Sequence, residues 1–95
     1  MKHYIIVKLQ PNLENVDEIL ESTRKAYASA VQIPGILKTK VHRNCIDREN
    51  RSDFMIEMEM VPGALANWDA SPIHKEWKEQ YSQYFASKAV IDCND

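Results

Sequence analysis

What most constrains the fold of this chain is the way its apolar residues change period along the sequence. His3, Ile5, Val7 and Leu9 fall on one side of a stretch whose other side is Tyr4, Ile6 and Lys8. A strand patterned in this way buries its more apolar side, so the first set is expected to face a helix layer. Val16, Ile19, Leu20, Thr23, Tyr27, Ala30 and Val31 then recur at helical spacing and make one amphipathic stripe. Asn15 and Glu18 are spaced as a helix cap and its reciprocal partner, and Pro34-Gly35 supplies the stop.

The period returns to two for a pair of strands, from about Ile36 to Cys45 and from about Asp53 to Met60. The charged run Asp47-Arg48-Glu49-Asn50-Arg51 between them reads as a hairpin loop. In the second of the pair Phe54, Ile56, Met58 and Met60 alternate with Met55, Glu57 and Glu59. Pro62-Gly63 breaks the pattern and a short helix is predicted through Trp68. Ser71-Pro72 opens a last helix with a stripe of Ile73, His74, Trp77, Tyr81, Tyr84 and Phe85. Lys88 to Cys93 closes the chain as a fourth strand, with Ala89, Ile91 and Cys93 on one face. The order β-α-β-β-α-β with both helices on one face of a four-stranded antiparallel sheet is the ferredoxin-like α+β arrangement.

Residues 1–95 are expected to form a single domain, small enough that pairing with a second copy would add useful burial. Lys8, Lys38, Lys40, His42, Glu57 and Glu59 are expected on the sheet face away from the helices. Tyr4, Ile6 and Met55 lie among them, so that face is amphipathic and suited to a second sheet. A net charge of −2 with no basic block argues against nucleic acid as partner. No apolar run approaches the length of a membrane span, nor does the N-terminus carry the apolar core of a signal peptide, so a cytoplasmic protein is expected. Cys45 and Cys93 belong to opposite edge strands in the usual strand order and are expected as free thiols. No metal-ligand spacing is present, and no cofactor is expected.

His74 stands out chemically. Ser71 can cap the helix and Pro72 suits its first position, which places His74 in the first turn, at the positive end of the helix dipole. A charge there is disfavoured, so the ring is expected neutral, donating from one nitrogen and accepting at the other. A neutral imidazole at a pocket wall is the usual starting state of a general base. A histidine in an apolar stripe can equally be structural, bonded to a carbonyl or a tyrosine. His3, facing the helix layer, carries the same two readings. Trp68, Trp77, Tyr27 and Tyr81 are expected to wall a pocket between helices and sheet, or else to pack as core.

His3-Tyr4-Ile5-Ile6-Val7-Lys8-Leu9, then Ile33-Pro34-Gly35-Ile36, Asp53-Phe54 and Ser71-Pro72-Ile73-His74 together resemble the Dabb family, the stress-responsive A/B barrel domain. The resemblance spans essentially the whole chain and implies a dimeric α/β barrel, two sheets closed face to face. A plant branch of the family includes polyketide cyclases that use histidines at the positions matching His74 and His3, a tyrosine at the position matching Trp68, and no cofactor. Here Trp68 stands in place of the tyrosine, and an indole N–H donates only. The third strand also lacks the histidine that the cyclases carry near its start. Three functions follow as expectations. The first is a homodimer binding a small apolar, phenolic or carbonyl molecule, with His74 and His3 as catalytic residues of cofactor-free acid/base chemistry. The others are a non-catalytic dimeric stress-response or interaction module, and a cofactor-free monooxygenase of the antibiotic-biosynthesis type.

Overall fold

The alternation at the N-terminus becomes strand β1 (Lys2–Leu9), in which His3, Ile5, Val7 and Leu9 are all buried. The computed structural model describes residues 1–94. Helix α1 (Val16–Ser29) follows and buries Ile19, Leu20, Thr23 and Tyr27. Asn15 occupies the N-cap position, but its side chain makes no capping bond; its carbonyl instead accepts from Ile19 N–H at 3.0 Å. The helix tightens into a 3₁₀ turn over Ala30–Gln32. That rotation turns Val31 out of the expected stripe and leaves it 46% exposed.

Strands β2 (Ile36–Arg43) and β3 (Phe54–Met60) come next, then helices α2 (Ala64–Ala70) and α3 (Pro72–Tyr81), and last β4 (Phe85–Cys93). Tyr84 and Phe85, expected on the last helix, lie beyond it. A 3₁₀ turn over Ser82–Tyr84 ends the helix, and pairing of Phe85 with Leu9 across a register shift draws the chain into β4 three residues early. The sheet order is β2-β3-β1-β4, antiparallel at every junction. Thus β2 and β4 are the edges, and Cys45 and Cys93 are free.

One face of the sheet carries the core. Ile5 and Val7 of β1 and Phe54, Ile56, Met58 and Met60 of β3 pack under Ile19, Leu20, Tyr27, Trp68 and Trp77 of the helices. Each such side chain contributes roughly 1.5–3 kcal/mol by leaving water. The opposite face is ordered by charge. Lys38 pairs in register with Glu59 and Lys40 with Glu57, and His42 Nε2 lies 3.1 Å from Glu57 Oε1. Tyr4, Ile6 and Met55 sit half-buried beside these pairs, and Ile91 on β4 is 53% exposed. No helix among the described residues is long and apolar enough to cross a membrane.

Candidate functional site

The helix layer stops short of the β4 edge. The register sets Lys88 beside Val7, Val90 beside Ile5 and Asp92 beside His3, so these three β4 side chains rise from the same sheet face as the core. Phe85 at the start of β4 packs against Trp77, and farther along the strand, below α2 and α3, a cleft of about 330 Å³ opens. Its walls are His3, Ile5, Lys88, Val90 and Asp92 from the sheet, Leu65 and Asp69 from α2, and His74 and Lys78 from α3.

Ser71 builds the corner that places His74. It ends α2 and caps α3 at once: its hydroxyl donates to Trp68 O at 2.8 Å and accepts from His74 N–H at 3.2 Å, with Pro72 at the first helical position. The reversal of direction within one residue brings the Asp69 carbonyl to His74. Nδ1 lies 3.3 Å from that oxygen. A carbonyl can only accept, so the shared proton belongs to Nδ1 and the neutral ring keeps its lone pair on Nε2. The imidazole also rests on the Trp68 indole, ring centres 5.0 Å apart.

Burial lowers the pKa of His74 below the usual 6.5, with the charges of Lys78 and Lys88 acting in the same direction. The Asp69 carbonyl and carboxylate oppose the shift without cancelling it. The neutral ring expected from the helix dipole is therefore favoured chiefly by desolvation. His3 is 6% exposed, and its Nδ1 meets Asp92 Oδ1 at 2.5 Å across the β1–β4 ladder. This carboxylate orients the ring as an acid partner orients a catalytic imidazole.

The structure brings His3 and His74 to the walls of one cleft, whose lining does not include Trp68, Trp77, Tyr27 or Tyr81. Trp68, Tyr27 and Trp77 stack as a core layer, with Tyr27 5.0 Å from Trp68 and 5.2 Å from Trp77 between ring centres. The correction has a physical cause: large rings at inward positions of a small domain fill the space that a pocket would need. Trp77 Nε1–H donates to Thr23 Oγ1 at 3.0 Å, and that hydroxyl donates to Ile19 O at 2.7 Å, which seals the layer. Among the described residues the Tyr27 hydroxyl is buried without a partner, and desolvation pushes its pKa far above the ordinary phenol range. Trp77 and Tyr81 do border a second, shallower groove of about 480 Å³ between α1 and α3, away from both histidines.

Lys78, Lys88, Asp69 and Asp92 belong to the cleft and were not among the expected site residues. Their signal is in the sequence. Lys78 is four residues after His74, one turn along the same helix face. Lys88 and Asp92 alternate with Ala89, Ile91 and Cys93, which puts them on the face opposite those three. Asp53 lies at the other end of β1 from His3, where its Oδ2 accepts from Leu9 N–H at 2.7 Å. Among the described residues no three His, Cys, Asp or Glu side chains are grouped to hold a metal ion.

No protein-family model and no curated protein matches this chain. Solved structures do. A Bacteroides fragilis protein, described as dimeric, ferredoxin-like and of unknown function, aligns with a TM-score of 0.82 at 19% identity over 99% of this chain and 94% of its own. The solution structure of a hypothetical Arabidopsis thaliana protein aligns with a TM-score of 0.77 at 18% identity, over 99% and 86% of the two chains. A Nitrosomonas europaea protein, named as a candidate antibiotic biosynthesis monooxygenase, gives 0.81 at 9% identity, over 99% and 88%. At such identities the likeness is one of fold, and function has to be argued from the site. The chain has the ferredoxin-like βαββαβ fold.

Proposed function

We propose that this protein binds a small phenolic or carbonyl compound in the cleft between β4 and the α2–α3 corner, and that His74 acts there as a general base without a cofactor. The observation that carries the reading is the commitment of the His74 Nδ1 proton to the Asp69 carbonyl, which leaves Nε2 as the ring's basic atom. In the chemistry proposed, Nε2 takes a proton from the carbon next to a carbonyl. The C–H electron pair becomes the C=C bond of an enolate as the carbonyl π pair moves onto oxygen; the imidazolium exchanges its Nε2 proton with solvent and returns a proton, or in D₂O a deuteron, to the same carbon, which restores the carbonyl and the neutral ring. Asp69, which stabilises the charged ring through its carbonyl and its carboxylate, favours the imidazolium made on the way. In this scheme His3, its Nδ1 committed to Asp92, accepts at Nε2 from a hydroxyl of the bound phenol.

The ordered sequence blocks that resemble the Dabb family support this reading, as does the open space beside the ring. The test is hydrogen–deuterium exchange at the α-carbon of phenylacetone in D₂O, followed by NMR with stoichiometric protein. Exchange above buffer is expected, falling about 100-fold in His74→Ala. It should also fade as pH drops through the depressed pKa of His74, because only the neutral ring accepts a proton. Exchange at the buffer rate in wild type, or at the wild-type rate in His74→Ala, would reject the base assignment.

A homodimer belongs to the same proposal. Tyr4, Ile6, Met55 and Ile91 give the outer sheet face an apolar strip, and the Bacteroides fragilis structure is of a protein described as dimeric. Light scattering at micromolar concentration is expected to return twice the 11.0 kDa chain mass, and Ile6→Asp to halve it. A wild-type monomer would reject the pairing.

A further inference from the structure

We infer that the occupant of this cleft is an anion, a phenol or carbonyl compound that also carries a carboxylate, with the carboxylate held between Lys78 and Lys88. The inference rests on the cleft being the binding site proposed above and adds the charge of what it binds. Lys78 and Lys88 line the cleft from opposite walls, helix and sheet. Among the described residues neither forms an ion pair or a hydrogen bond; the salt bridges present are His3–Asp92, His42–Glu57 and Arg43–Asp17. The wall's two carboxylates act on the histidines. Asp92 is already bonded to His3, and Asp69 acts on His74.

Two like charges brought together without a counter-ion are a cost that an anion between them removes. Lys88 shows that cost, since burial and then the neighbouring Lys78 charge both weaken its hold on its proton. The cleft is therefore polarised lengthwise. Four strand residues, about 13 Å, separate Lys88 at the positive end from Asp92 at the other. His74 and Lys78 are one helical turn apart, about 6 Å. A ring with a carboxylate at one end and its acidic or carbonyl group at the other spans that interval, so the anchor at Lys78 and Lys88 presents the reacting end to His74.

Two probes of the same shape and different charge test this: 4-hydroxybenzoate and 4-hydroxybenzamide, titrated into uniformly ¹⁵N-labelled protein and read from the amide and imidazole signals of His74. The acid is expected to bind about tenfold more tightly than the amide, as two solvent-rimmed ion pairs allow. Lys78→Met with Lys88→Met is expected to abolish that preference, the two probes then binding with equal affinity. Both lysines are exposed, so the double variant should keep the wild-type spectrum elsewhere. Equal affinities in wild type, or a preference that survives the double substitution, would overturn the anion assignment and leave the cleft as a binding site. Failure of both probes to shift His74 would overturn the assignment together with the binding reading beneath it.

Discussion

Trp68→Ala is expected to be the most damaging single truncation in the chain, costing about 3–5 kcal/mol of stability. The indole is fully buried, and it is the one ring that touches both the core layer, through Tyr27, and the site, through His74. Its removal leaves a hole under the α2–α3 corner that neighbouring rings, fixed by the Trp77–Thr23 bond, cannot collapse to fill. For a domain of this size each kcal/mol moves the melting temperature by roughly 4–8 °C, so a loss of about 12–40 °C should appear in a thermal scan. His74→Ala is the informative partner. That ring is only half-buried, so its loss should barely move the melting point while removing the base. If instead the two variants melt alike, His74 is a structural residue and the enzymatic reading loses its main support. A melting point for Trp68→Ala within a few degrees of wild type would show that the aromatic layer is looser than its packing distances indicate.

That contrast also marks where sequence reasoning reaches and where it ends. Period-two and helical spacing located both layers, because burial on one face is a property of each element taken alone. Phe85 shows the limit for boundaries: in isolation it continues the aromatic spacing of α3, and only its pairing with Leu9, 76 residues earlier in the numbering, makes it strand. Asn15 shows the limit for caps, since a favourable residue type at the right position still makes no side-chain bond. Within the site, the Ser71-Pro72 corner and the first-turn place of His74 were legible because capping is local. The aromatic wall was not, because inward spacing says which way a ring points and nothing about whether space remains beside it. The space lies where the helices fail to cover β4, and that depends on the lengths of all three helices together. Lys78, Lys88 and Asp92 could have been placed by register alone; as exposed charges on amphipathic elements they looked like ordinary solvated residues.

Gly35→Ala is the second large effect, and it bears on the site from a distance. Gly35 has φ +90°, a left-handed conformation that costs a side chain about 1–2 kcal/mol. Gly63 at φ +89° has the same backbone demand, with nothing within 4 Å of where a Cβ would stand. At Gly35 that Cβ would lie 2.6 Å from Ala64 Cβ and 2.9 Å from Val61 Cγ2. The Ala64 methyl has no rotamer by which to swing aside. Ala64 is the buried first residue of α2, and Val61 N–H donates to the Gly35 carbonyl at 2.9 Å. Gly63→Ala should therefore cost about 1 kcal/mol and Gly35→Ala about 2–4 kcal/mol in urea denaturation, because the latter must also push the start of α2 away from the β2 turn. The displacement propagates along a short rigid helix to Trp68 and to the Asp69 carbonyl that holds the His74 proton. Gly35→Ala should accordingly lengthen that bond and shift the His74 ring signals at pH 7, whereas Gly63→Ala leaves them in place. Equal destabilisation by the two substitutions, with His74 unmoved in both, would mean that α2 is positioned by its core face alone and that the glycine turn has no part in setting the base.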